Sequence, residues 1–314
     1  MNKNRLLGVI GLFGTGLVGG AFLPSLIRAG TELFHPFVLN WLRVFLGLSL
    51  ALILFRGKYN LRHLFHKKYL HLYVIMGLGI SLNTSLFSFG LQYTTLVASQ
   101  LIYVLVPVIT STLLFVFFKQ HTDFKKIVGM GLALLGVSLL IIFSRSPEQR
   151  MSLGSFYGNI LIAFAAISYS HYLIFSKKLS TVYSVVEMVI ISNLLSSFIL
   201  LPLAAFEAAR HPITQVSPLA ILLLLALAAS GLLFFYFSQL SIKHLSAQSA
   251  SLSSILTPQF AAMVGIIFYQ EQLSLILLIS IILSSSGIIL SVKAEPVSFK
   301  ERLQALISKV KHSL

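Results

Sequence analysis

The chain contains no cysteine. Disulfide staples, thiolate metal sites and cysteine nucleophiles are excluded with it. Charge is almost as scarce: 10% of the 314 residues are charged, where a soluble domain carries about 25%, and only 8 residues are acidic. A water-soluble domain of this length needs a far more polar shell than that, so a soluble globule is excluded. The chain is instead 57% apolar with a mean hydropathy of +0.92. Also missing are a P-loop, a zinc-binding HExxH and a GxSxG nucleophile elbow, and neither a metal nor a cofactor is expected.

Apolar runs of about 20 residues, the length that crosses about 30 Å of hydrocarbon, fall near 6–27, 36–55, 71–91, 95–118, 126–144, 154–175, 185–206, 219–240, 246–269 and 273–292. The pattern predicts an all-α integral membrane protein with ten transmembrane helices. The first run follows Lys3 and Arg5 as a signal peptide would, but its apolar core is longer than the usual 7–15 residues, so it reads as the first span.

The formal charge of +15 suggests nucleic acid until its distribution is considered. A phosphate-binding face gathers basic residues on one wetted surface, whereas here they sit in short gaps between apolar runs. No nucleic-acid partner is expected. With ten spans, 18 of the 23 Lys and Arg fall on the side of the N-terminus and 4 on the other, Arg43 lying inside a span. By the positive-inside rule both termini are then cytoplasmic, in an inner membrane, and anionic lipid explains the basic excess. After the last span, Phe299, Leu303, Leu306, Ile307 and Val310 recur at helical spacing beside Ser298 and Glu301 in a capping-box register. The tail 295–314 therefore reads as an amphipathic helix lying on that membrane surface, with a partner-binding helix as the alternative.

Shifting 90–140 by 151 residues pairs Pro107 with Pro258, Phe117 with Phe268 and Gly136 with Gly287. Residues 1–148 and 149–294 then read as two five-helix repeats. An odd number of crossings inverts the second repeat, the construction of many secondary transporters.

These residues resemble the EamA-type transporters of the drug/metabolite transporter superfamily over nearly the whole chain. That family's half-unit has a helix with a central proline, a glutamate 13 residues on and a glycine nine further, before a glycine-containing final helix. The second half supplies Pro258, Glu271 and Gly287, with Ser280 in place of the intermediate glycine; the first supplies Pro107, Gly129 and Gly136, with Gln120 in place of the glutamate. His35-Pro36 followed by Arg43 is similar to the family's second helix. The resemblance implies a ten-helix bundle with a central cavity that moves small organic solutes such as amino acids by alternating access, with export or exchange the direction it suggests. It also implies a gating role for Glu271. Transport of S-adenosylmethionine, a nucleoside-like metabolite or a drug is the nearest alternative, and a lipid-acting membrane protein a more distant one.

Within the spans, Pro107 and Pro258 fall about 12 residues in, near mid-depth, and free the carbonyls of Tyr103 and Ser254. They read as hinges, or as ordinary kinks with Thr110 and Ser253 as hydroxyl partners. Arg43 is the costliest residue in the bilayer; it attracts a carboxylate-bearing substrate, pairs with Glu32 or another group at that end, or snorkels outward. His171 reads as a gating group able to titrate near neutral pH or as a hydrogen bond within the bundle. The expected cavity set is Asn83, Gln100, Tyr103, Tyr169, Tyr172, Tyr236, Ser251, Ser254 and Gln259, against the alternative of interfacial tyrosines and interhelical hydrogen bonds. Glycines 8, 11, 14, 16, 19 and 20 permit close approach by the first helix, with Gly16 and Gly20 spaced for a homodimer as well as for packing within a monomer.

Overall fold

A computed structural model describes residues 3–293, apart from 61–63, 65, 119–123, 147, 149, 212–216 and 273. Gln120 and the tail 295–314 therefore lie outside the described residues. Among those described, every regular element is a helix, as hydrocarbon requires of backbone that must satisfy its own polar groups. In order they are α1 (Lys3–Leu17), a π-turn (Val18–Phe22), α2 (Leu23–Thr31), α3 (Pro36–Leu54), α4 (Leu70–Leu91) after a short 3-10 turn, α5 (Leu96–Tyr103), α6 (Val106–Phe118) and α7 (Phe124–Phe143). The second half follows with α8 (Arg150–Leu153), α9 (Phe156–Leu179), α10 (Val185–Arg210), α11 (Pro218–His244), α12 (Ala247–Ser251), a 3-10 turn (Leu252–Ile255), α13 (Thr257–Tyr269) and α14 (Leu275–Lys293).

Eight helical runs among the described residues are long and apolar enough to cross a membrane: Asn4–Thr31, Pro36–Leu54, Lys67–Leu91, Leu96–Phe117, Phe156–Leu179, Val185–Arg210, Pro218–His244 and Ala247–Tyr269. The remaining two expected spans appear as shorter apolar helices, Ile127–Phe143 and Leu275–Gly287. Large apolar side chains such as Ile53, Phe164, Phe198 and Phe268 face outward, while Asn40, Asn193 and Gln239 are fully buried. Polarity is thus directed inward, the reverse of a soluble protein.

Helix starts follow local capping chemistry. Thr95, Ser155, Ser217 and Ser246 each accept from the backbone N–H three residues on. Ser184 and Glu187 form a reciprocal capping box at α10, so Glu187 is a cap at a helix end rather than a proton relay. Ser184→Ala is expected to cost about 1 kcal/mol, measured as a fall in the unfolding temperature of the detergent-purified protein.

The main packed pairs are α4 with α9, α7 with α14, α1 with α11 and α3 with α10. Glycine allows the closest of these. A Cβ on Gly287 would lie 2.5 Å from the Ala133 nitrogen and the Gly129 oxygen, and one on Gly136 would lie 2.7 Å from the Ser284 nitrogen. A Cβ on Gly11 would lie 2.5 Å from the Ser241 nitrogen on α11, and Gly16 and Gly20 are pressed against Leu256 and Thr257. Gly16 and Gly20 thereby make contacts within the chain, the packing that their spacing allowed beside a homodimer.

The two prolines break their spans rather than bend them. Pro107 and Pro258 each sit in the first turn of the outgoing helix, α6 or α13, where a missing N–H has no partner to lose. The hydroxyl partners also differ from expectation. Thr257, not Ser253, donates to the freed Ser254 carbonyl at 3.0 Å, while Ser111 donates at 2.7 Å to the carbonyl of Pro107 itself rather than to the freed Tyr103 carbonyl. Thr110 is buried without a hydrogen-bond partner.

Candidate functional site

A cavity opens where the broken spans meet the π-turn. Its wall is built from Thr15 on α1, Gly19 in the π-turn, Pro24 and Ile27 on α2, and Arg43 on α3. Ile80, Asn83, Thr84 and Phe87 form one face of α4, and Gln100 and Tyr103 come from α5. Tyr169 of α9, Phe234 and Phe235 of α11, and Ser253, Ser254 and Thr257 complete it. The space open to the centre of a water-sized sphere is about 70 Å³.

Of the residues expected here, Asn83, Gln100, Tyr103, Tyr169 and Ser254 line the cavity, and so does Arg43. Asn83 donates its amide to the Tyr103 hydroxyl and to the Ala165 carbonyl at 2.9 Å, fixing the phenol against α4 and α9. Phe87 meets the Tyr103 ring edge-on at 5.4 Å between centroids. Tyr172 stands behind the wall: it stacks on Tyr169 at 5.8 Å and receives the Gln239 amide at 2.6 Å. Gln239 also donates to Ser176 at 2.8 Å. Gln239→Leu removes these bonds and is expected to cost about 1 kcal/mol, the scale of interhelical hydrogen bonds in membranes, read by thermal unfolding in detergent.

Besides Tyr172, three expected members of the cavity set and the expected gating group His171 fall elsewhere. Tyr236 stacks on Phe55 at 5.7 Å, Ser251 donates to the Gln248 carbonyl at 2.6 Å within its own turn, and Gln259 is exposed on the outer face of α13. His171 pairs through Nδ1 with the carbonyl of Ile167 one turn back, 2.9 Å away, and does not reach the cavity. Thr15, Pro24, Phe87, Phe234 and Thr257 were missed. Phe87 was recoverable, since Ile80, Asn83, Thr84 and Phe87 recur at helical spacing.

Arg43 is only 5% exposed. Its aliphatic stem lies along α11, where Gly231 leaves room: a Cβ there would sit 3.6 Å from Arg43 Cγ. The guanidinium Nε is buried without a hydrogen-bond partner. Glu32, a possible partner from the sequence, is exposed, and no Asp or Glu is among the described residues lining the cavity. A guanidinium in such surroundings is a charge held ready for an anion.

Beside the cavity, next to Ile27 on α2 and about one turn before Gln100 on α5, Glu271 ties three segments together. Its carboxylate accepts from Arg28 Nη1 at 2.7 Å and from the backbone N–H groups of Leu96 and Val97 at 2.6 and 3.1 Å. These are orphan donors of the α5 N-terminus, and a carboxylate there is also favoured by the helix dipole. Arg28 stacks over the Tyr269 ring, 4.6 Å to its centre, and the Tyr269 hydroxyl donates to the Ser25 carbonyl at 2.9 Å. At the other end, Lys177 and Lys243 cross-brace the chain: Lys177 donates to the Ile242 carbonyl at 2.7 Å and Lys243 to the Ser180 carbonyl at 2.6 Å. Such lysines satisfy the last carbonyls of the helices they face.

A multi-span helical bundle with a cavity at the breaks in its helices defines the class of membrane proteins that handle small solutes. The chain belongs to the EamA-like transporter family, whose model matches residues 6–142 and again 156–293. It is 26% identical over 276 residues to the Uncharacterized transporter YdfC of Bacillus subtilis (strain 168), covering 87% of this chain and 86% of that protein. To the Uncharacterized transporter YetK of the same organism it is 24% identical over 216 residues, 68% of this chain and 65% of that one. A solved crystal structure of a protein with 18% identical residues superposes over 94% of this chain and 99% of its own with a TM-score of 0.65, which establishes the fold.

Proposed function

We propose that this membrane transporter is a secondary carrier of small organic metabolites, with amino acids and their relatives the class that the family suggests, working by alternating access around the cavity. The observation that carries the reading is that both halves of the chain build the cavity, and build it at interruptions in their helices. The first half gives the π-turn, Arg43 and the end of α5; the second gives Tyr169, Phe234 and the 3-10 turn before α13. Irregular backbone at such a depth is tolerated only against protein or a wet cavity.

In this reading there are ten spans in two inverted halves, 1–148 and 149–294, in the inner membrane with both termini cytoplasmic. Two observations support the inversion. The family model matches the chain twice, and exchanging the halves carries each main packed pair onto a packed pair, α4 with α9 onto α11 with α1. Asn83, Gln100, Tyr103, Tyr169 and Ser254 are the substrate-facing set, the breaks at Pro107 and Pro258 are hinges, and Glu271 with Arg28 is a closure. The carrier works as a monomer or a homodimer.

The test is counterflow in liposomes containing the purified protein, with labelled amino acids, nucleosides and S-adenosylmethionine. Uptake of one class that is saturable and absent from empty liposomes is the expected result. No flux of any solute, together with binding of lipid alone, would transfer the cavity to lipid chemistry. Nucleoside or S-adenosylmethionine flux alone would keep the carrier and change its substrate.

A further inference from the structure

We propose that the solute taken by this cavity is a small organic monoanion, a carboxylate whose charge is not cancelled by an ammonium group, in preference to a zwitterion or a cation. The proposal rests on the carrier reading and narrows its substrate class. The cavity holds one formal charge. Arg43 supplies it, 5% exposed and with Nε lacking any hydrogen-bond partner. A guanidinium cannot shed its proton to escape burial, so a desolvated one needs an anion, and a carboxylate matches its planar fork.

The complement is what would hold an ammonium group. No Asp or Glu is among the described residues lining the cavity. Three acidic groups near helix ends are committed elsewhere, Glu271 to Arg28 and the α5 N-terminus, Glu207 to the Val38 N–H at 2.9 Å, and Glu187 to its capping box, while Glu32 at the end of α2 is exposed and does not line the cavity. An amino acid entering this space brings a second charge that meets no carboxylate, while Arg43 repels it. A cationic solute meets only the repulsion. The rest of the wall suits a carboxylate with an apolar body, since Phe87, Phe234, Tyr103 and Tyr169 line the same cavity as Arg43 and pack against one another.

The experiment compares solutes of one shape that differ in charge. The phenyl series is 3-phenylpropionate, L-phenylalanine, 2-phenylethylamine and 3-phenylpropionamide; the aliphatic series is 4-methylvalerate, L-leucine and 3-methylbutylamine. Binding to the detergent-purified full chain is read by thermal stabilisation, and transport by counterflow in liposomes. The acids are expected to bind at least about 10-fold more tightly than their zwitterionic and cationic counterparts. Arg43→Gln is expected to weaken the acids by at least about 10-fold relative to the neutral amide and so to abolish that preference, a charge-selective loss that a merely structural role for Arg43 would not produce. If that variant does not fold, the wild-type charge series decides alone. Zwitterions or amines binding as tightly as the acids would overturn the proposal, and amino-acid flux without acid flux would do so while leaving the carrier intact. Acid binding without flux would keep the proposal and remove the carrier.

Discussion

Glu271→Gln is expected to loosen the end of the bundle that Glu271 holds. The substitution keeps the volume of the side chain but removes its charge and turns one oxygen into a donor. That donor then faces the N–H groups of Leu96 or Val97, or the Arg28 guanidinium, all of which need an acceptor. Breaking a fully buried ion pair costs about 3–5 kcal/mol. The Arg28 side chain is 29% exposed, and water softens its loss, so about 2 kcal/mol is the expected scale. Labelling provides the measurement. Because the chain contains no cysteine, Ile27→Cys, which lies in the cavity wall next to Arg28 in the chain, becomes a single addressable thiol without background. Maleimide labelling in detergent is expected to accelerate by up to about 30-fold when Glu271→Gln is added, the rate equivalent of 2 kcal/mol. An unchanged rate with an unchanged unfolding temperature would show that the Glu271 cluster holds nothing closed.

The larger structural effect is expected at the contact of α7 with α14. Gly287→Leu places a side chain where even a Cβ would meet backbone at 2.5 Å, and backbone cannot rotate out of the way. Ordinary overpacking costs about 1–3 kcal/mol because side chains yield; here two helices must separate, and the cost exceeds that range. Loss of monodisperse protein on size exclusion is the expected outcome. Gly131→Leu is the control, since nothing lies within 4 Å of a Cβ there although it is on α7, the helix that Gly287 packs against. Equal tolerance of the two substitutions would mean that α7 and α14 do not pack through Gly287 and Gly136.

These sites also show what the sequence could convey. Hydrocarbon imposes helices and sets their length, so the positions of the spans were legible from apolar runs alone. Pro107 and Pro258 marked the breaks because proline lacks a donor. Arg43 was conspicuous because a buried guanidinium is expensive. Polarity near mid-depth did not reveal the direction a residue faces: Ser254 and Gln259 lie five residues apart, yet one lines the cavity and the other faces outward. Tyr169 and Tyr172 share a face of α9, but only the first reaches the open space. Gly136 and Gly287 were visible as equivalents in a repeat, and nothing in one chain's spacing says that equivalents touch. The ion pair of Arg28 with Glu271 joins residues 243 apart, a separation that no local pattern spans.

The first membrane helix bears on its neighbours in an unusual way. Gly8, Gly11 and Gly14 set it against α11, and Gly16 and Gly20 against the segment around Leu256 and Thr257, with a π-turn between the two stretches. Interlocked side chains act as gear teeth, and sliding them requires each to leave its rotamer. At Gly11 and Gly20 the helix rests instead on the backbone of Ser241 and Thr257, a plain bearing with little to unmesh along its axis, while Gly8, Gly14 and Gly16 seat the side chains of Leu245, Phe237 and Leu256. The π-turn holds one residue more than an α-turn, and that residue is slack, which axial displacement of either half can take up or release without breaking the helix.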